Sequence, residues 1–336
     1  MQAEPQREVV VVTGASAGVG RATARAFGAR GARVGLVARG RDGLEAARRE
    51  IEEAGGEALV LPTDVAKPEE VEAAAAAVEA TFGPIDVWVN DAMLSVFSPF
   101  AEMHADEFRR VTEVSYLGFV YGTMAALRRM RPRDRGVVVQ VGSALAYRSI
   151  PLQSAYCGAK HAIVGFTDSI RSELVHDRSR VRLTVVHLPA LNTPQFSWVK
   201  SRLPRRPQPV PPIFQPEVAA EAIVWAAHHP RRELHAGWPT VKAIWANVLA
   251  PGFADRWLAR HGYASQQYDG APPPDRRDNL WAPVPGDHGA HGDFDARAHP
   301  RSLVLELSLR RGWIGVAAAA LAGAAAALLP GRAGGS

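Results

Sequence analysis

The chain is poor in cysteine, with Cys157 alone among 336 residues. One thiol closes no internal disulfide, which excludes a disulfide-stapled scaffold and points to a reducing compartment. Because Cys157 directly follows Tyr156 in a helical run, it reads as a small packing residue rather than a nucleophile. No Cys/His pair stands at metal-ligand spacing. The His288 and His291 stretch is glycine-broken and aperiodic, so no metal is expected. No nucleic-acid-binding signature occurs either. Charged residues lead straight from the N-terminus into the first apolar run, unlike a secretory signal, and a cytoplasmic catalytic portion is expected. One long run, Trp313 to Leu329, is uncharged throughout and almost entirely apolar.

What is present alternates. Apolar strand-like runs at 8–13, 33–38, 58–61, 86–90, 137–141 and 182–187 are separated by helical compositions such as 69–82 and 106–130. This alternation predicts an α/β fold: a Rossmann-type, doubly wound parallel sheet with ligands at the carboxyl ends of its strands. The first run, Glu8 to Thr13, passes directly into Gly14-Ala-Ser16-Ala-Gly18-Val19-Gly20 and then a helical stretch. Strand, glycine turn and helix N-terminus together form a diphosphate cradle. Glycines admit a ligand close to the backbone, and free N–H groups and the helix dipole favour negative charge. The second strand ends in Arg39-Gly-Arg41 with no carboxylate at its tip. A ribose 2′-hydroxyl calls for an acid at this position and a 2′-phosphate for an arginine, so Arg39 predicts NADP(H) over NAD(H).

Further along stand Ser143, Tyr156 and Lys160. A helix brings positions i and i+4 to one face, placing the Lys160 ammonium near the Tyr156 phenol. A neighbouring cation lowers a phenol's pKa, and such a tyrosine exchanges a proton with an alcohol or carbonyl oxygen.

With these motifs in place, roughly residues 7–260 resemble the short-chain dehydrogenase/reductase family in its short, non-extended branch. The resemblance rests on Thr13 to Gly20, Asp64-Val65, Asn90-Asp91-Ala92, Ser143, Tyr156 and Lys160. It implies that Ser143 binds the substrate oxygen, Tyr156 is the acid/base, and Lys160 tunes Tyr156 and holds the nicotinamide ribose. Asp64 and Val65 are implied to flank the adenine, Asn90 to line the cofactor, and Thr193 to meet the nicotinamide carboxamide. Ser115 stands where the family has a helix asparagine that supports a proton relay. Asp91 and Met93 depart from the family's Asn-Asn-Ala-Gly, and Met93 replaces a glycine whose positive φ it adopts only with strain. The resemblance also implies a homodimer or homotetramer.

Residues 1–262 are expected to form the catalytic domain. Within it, 195–214 is a proline-stiffened cover over the substrate, whose arginines at 202, 205 and 206 are available to an anionic group. Residues 263–309, rich in Pro, Gly, Asp and His, read as an extended linker. Residues 310–336 read as a C-terminal anchor, with 313–329 spanning roughly 25 Å as a helix, a little short of a hydrocarbon core. Arg310, Arg311 and Trp313 stand at its boundary. The arginine clusters that carry the net charge of +5 are matched to an anionic cofactor and an acidic membrane surface. The sequence thus predicts an NADP(H)-dependent oxidoreductase interconverting a carbonyl and an alcohol, on a lipophilic small molecule. The Asp91, Met93 and Ser115 departures motivate an alternative, a dinucleotide-binding sensor or scaffold with weak chemistry.

Overall fold

The computed structural model describes residues 7–273 and 275–310. Its core is a sheet of seven strands: β1 (Val9–Thr13), β2 (Arg33–Ala38), β3 (Glu57–Pro62), β4 (Val87–Asn90), β5 (Val137–Ser143), β6 (Arg182–Leu188) and β7 (Glu233–His235). They lie in the order β7-β6-β5-β4-β1-β2-β3, every neighbouring pair parallel. The chain reverses direction across the sheet between β1 and β4, which opens a crevice beyond their carboxyl ends.

Valine-rich strands suit a sheet covered on both faces, because alternate side chains each find an apolar layer. Val10 and Val12 pack with Phe27 of α1 (Gly18–Gly28), Ile51 of α2 (Arg41–Glu53) and Ile223 of a later helix (Pro216–His228). Val9 and Val11 pack on the other face with Val78 of α3 (Pro68–Phe82), Val111 of α4 (Ala105–Thr112) and Met130 of α5 (Gly118–Met130). Leu174 of α6 (Ser154–His176) belongs to that second layer. The stretch expected as one helix over 106–130 is interrupted by a π-helical turn, Glu113–Leu117. The helix Pro216–His228 is α7. After β7 the chain forms a helical hairpin, α8 (Trp238–Leu249) and α9 (Pro251–Ser265). Pro251 divides it, since a proline ring cannot continue a helix through its preceding turn.

The reading of 263–309 as an extended linker is corrected. Leu280, Ala290, Phe294 and Leu305 are buried against the main body. These isolated apolar residues, spaced among turn formers, anchor the segment where composition alone signals a solvated chain. Residues 313–329 lie outside the described residues. Among the described residues no helix is long and apolar enough to cross a membrane.

Candidate active site

β1 and α1 meet in the glycine turn. Gly14 and Gly18 adopt φ of +76° and +58°, a region that disfavours side chains. Gly20 is required for a different reason: a Cβ there would stand 2.3 Å from the Gly14 carbonyl oxygen. Thr13 Oγ1 accepts hydrogen bonds from the amides of Asp91 and Ala92 at 2.9 and 3.1 Å, tying the ends of β1 and β4 together beside the crevice. Ser16, Gly18 and Val19 line a cavity of about 1150 Å³, while Gly20 sits within the turn beneath it. Arg39, Asp64 and Val65 line the same cavity at the ends of β2 and β3. Arg110 pairs with Asp64 and holds its carboxyl below the ordinary carboxylate range; burial opposes this shift but is outweighed.

Ser143, Tyr156, Lys160 and Thr193 line the other part of this cavity, so the residues predicted to react and those predicted to bind nucleotide share one space. Ser143 ends β5, and its hydroxyl, which accepts from the Leu145 amide at 3.1 Å, lines the cavity with the Tyr156 phenol. Lys160, on the same helix as Tyr156, is buried and donates to the Val141 carbonyl at 2.7 Å. Its Nζ is 5.5 Å from the Tyr156 ring centre and 4.7 Å from that of Phe119. The expected lowering of the phenol's pKa is not what the protein alone produces. Burial raises it, and the neighbouring Ser143 hydroxyl offsets that only in part. Burial lowers Lys160, and the nearby Asp91 carboxylate partly restores it. Asp91 in turn is raised, because withdrawal from bulk water outweighs Lys160 and the Gly20 amide.

Two predicted site residues face away from the cavity. Asn90 turns into the layer between sheet and α5. It accepts from Trp88 Nε1 at 2.8 Å and donates to Phe119 O, Thr123 Oγ1 and Gln140 Oε1. Asp91, Ala92 and Met93 line the cavity in its place. Ser115, expected to support a relay, is fully buried in the π-helical turn. It spends its hydroxyl on Leu94, donating to the carbonyl and accepting from the amide, both at 2.8 Å. Met93 avoids the strained region, for the non-glycine residues of positive φ are Asp134, Leu152 and Arg178 among those described.

The cover over the reacting end is fixed rather than free. Short ladders join Val96–Phe97 to Lys200–Ser201, Arg206–Pro207 to Gln267–Tyr268, and Ile213–Phe214 to Ala298–His299. Its arginines are committed within the protein: Arg202 pairs with Glu107 at 2.9 Å, Arg205 with Asp269 at 3.3 Å, and Arg206 donates to Ala271 O at 3.2 Å. The segment 276–299 forms a strap across both ends of the cavity, a feature the sequence reading missed. Arg276 donates to the carbonyls of Phe196, Ser197 and Val199 in the cover. At the nucleotide end, Arg39 donates to the carbonyls of Asn279, Leu280 and Trp281. The Gly18 amide donates to Gly289 O at 3.1 Å, and buried Arg21 pairs with Asp287. The legible signal was the pair Leu280-Trp281 inside an otherwise polar run.

These residues fit a bound dinucleotide: glycines a side chain cannot replace, a helix N-terminus at the rim, and a cavity larger than the roughly 300–1,000 Å³ usual for one small ligand. Parallel sheet, glycine turn and Ser/Tyr/Lys cluster define a Rossmann-type dehydrogenase. The profile of the short chain dehydrogenase family matches residues 8–202, and the chain belongs to that family. It is an oxidoreductase acting on CH–OH groups, with a nicotinamide dinucleotide as cofactor. An uncharacterized oxidoreductase, YxnA, of Bacillus subtilis (strain 168) is 35% identical over 261 residues, covering 77% of this chain and 73% of that one. The 3beta-hydroxysteroid dehydrogenase 1 of Eggerthella lenta is 35% identical over 66% of this chain and 86% of its own. Among solved structures, a variant actinorhodin polyketide ketoreductase with NADPH superposes with a TM-score of 0.61 at 29% identity, covering 68% of this chain and 95% of that one. An alcohol dehydrogenase of the archaeon Thermococcus sibiricus complexed with 5-hydroxy-NADP gives 0.60 at 30% identity, with the same coverage.

Proposed function

We propose that the chain is an NADP(H)-dependent oxidoreductase interconverting a carbonyl and an alcohol on a lipophilic small molecule, with Ser143, Tyr156 and Lys160 as its catalytic residues. The observation that carries this reading is the single cavity they share with Arg39 and the glycine turn. Ser143 binds the substrate oxygen and Tyr156 passes a proton to it or takes one from it. Lys160, held by Val141 O, keeps a positive charge beside the phenol and holds the ribose. When bound, the nicotinamide supplies or accepts the hydride. Thr193, whose side chain is what a Cβ on Gly18 would meet, orients the carboxamide. Arg39 uses three of its five N–H donors on strap carbonyls, which leaves donors for a 2′-phosphate. The ketoreductase and the alcohol dehydrogenase that superpose on this chain each carry an NADP-type nucleotide. The substrate end is walled by Leu94, Phe97, Leu145, Ile150, Phe196 and Trp238, which favours an apolar substrate. The departures that motivate a sensor leave the three reacting residues intact.

The test is consumption of NADPH and NADH against aldehydes and ketones of increasing chain length. Tyr156→Phe is expected to lose about 10²–10⁴-fold in turnover while its NADPH affinity is retained. Equal turnover in Tyr156→Phe, or a preference for NADH, contradicts the reading.

A further inference from the structure

Helices α8 and α9 do two things at once. Trp238, Ala246, Phe253, Trp257 and Leu258 help wall the active-site cavity. The same hairpin presents Trp238, Trp245, Val248, Leu249, Phe253, Trp257 and Tyr263 to solvent, with Leu249 75% and Val248 66% exposed. Isolated exposed apolar residues are ordinary, whereas a contiguous set of large ones marks a binding surface. On α8 the spacing of Trp238, Trp245, Val248 and Leu249 places them along one face. Phe253 and Trp257 repeat this at i and i+4 on α9. Phe253 and Trp257 both line the cavity and stand in solvent, so they form its rim.

The charge around this tip has one sign. No charged residue occurs from Ala243 to Ala254. Lys242, Arg256 and Arg260 flank it, all exposed. From Leu234 to Tyr268 the only acid is Asp255, and Arg148 neutralises it in an ion pair. An apolar tip with tryptophans at its margin and a cationic collar matches the layering of an anionic bilayer surface: acyl region, interface, phosphates.

We infer that the α8–α9 hairpin docks the enzyme on an anionic lipid surface, with the tip Val248–Phe253 in the interface and the cavity rim facing the lipid. The docking face stands on exposure and charge. Its use as a route for substrate out of the bilayer rests on the lipophilic-substrate reading above. This contact lies wholly within the described residues and is separate from the segment 313–329.

The experiment labels Leu249→Cys in the full chain with an environment-sensitive nitrobenzoxadiazole probe, Cys157 being buried. Arg30→Cys, exposed beyond the carboxyl end of α1, is the control position. Vesicles of equal phosphatidylcholine and phosphatidylglycerol are expected to brighten and blue-shift the probe at 249 several-fold more than phosphatidylcholine alone, and to leave that at 30 unchanged. The double variant Val248→Glu, Leu249→Glu is expected to bind these vesicles about tenfold more weakly. Its turnover of a short, water-soluble carbonyl should stay at the wild-type value, because neither residue lines the cavity. An unresponsive probe at 249 overturns the inference. So does a probe already blue-shifted in buffer, which means that a second copy or another part of this chain covers the face. Neither result depends on turnover, so failure of the Tyr156→Phe test leaves this one readable.

Discussion

At the scale of single residues, the site is governed by charges removed from water. Lys160 must stay protonated to support Tyr156, yet burial pushes its pKa down and the nearby Asp91 carboxylate pushes it back. Asp91→Asn removes the restoring charge, so Lys160 loses its proton at a lower pH than in the wild type. The alkaline limb of kcat/KM should therefore move to lower pH, with little change in NADPH affinity. A pH profile superimposable on the wild type refutes this coupling. Arg39 makes the second residue-scale prediction. Removing a charged donor from a phosphate costs about 1.5–3 kcal/mol. Arg39→Ala should then raise KM for NADPH about tenfold or more and leave that for NADH nearly unmoved. A parallel rise for both nucleotides means that Arg39 acts only by holding the strap.

Between elements, Glu107 joins α4 to the cover. Burial alone would raise its carboxyl. Hydrogen bonds from Arg202, the His104 amide and Lys200 outweigh that and bring it from 4.5 down to about 2. A carboxylate depressed in the folded state contributes stability above its unfolded pKa and loses it as pH falls through the folded one. The cover should loosen between about pH 4.5 and pH 2, read as rising proteolysis at 199–207. Glu107→Gln should abolish that pH dependence and cost about 2–3 kcal/mol at neutral pH. Elements of this kind divide what the sequence disclosed from what it did not. Strands such as Val9–Thr13 and Val137–Ser143 were legible because runs of three or four successive valines suit a sheet covered on both faces. That Tyr156 and Lys160 share one helix, and that the glycine run turns between strand and helix, was legible because each spacing is local. Asn90, Ser115 and the cover's arginines were misassigned for the opposite reason. Their partners Gln140, Leu94 and Glu107 lie 50, 21 and 95 residues away, and no local pattern announces them.

Across the whole molecule, the strap 276–299 makes the two ends of the active site one mechanical unit. Arg276 reaches the cover, Arg39 reaches back from β2 to the strap, and fully buried Leu280 anchors the crossing between α4 and β3's end. Arg39 is thus oriented by backbone carbonyls that the Leu280 side chain anchors, together with the Asn279 amide on Trp198 O and Arg110 on Leu280 O. Truncating a buried leucine costs about 2–5 kcal/mol. Here the loss falls first on the strap, since the seven-stranded core is complete without it. Leu280→Ala should speed hydrogen exchange in 276–289 far more than in β1 or β5. It should also weaken NADPH binding, because Arg39 then has to order itself on the nucleotide. NADH, which makes no demand on that guanidinium, should bind as before. Exchange that rises evenly through the sheet would place Leu280 in the common core. Exchange confined to the strap with unchanged NADPH affinity would mean that Arg39 holds its position without it.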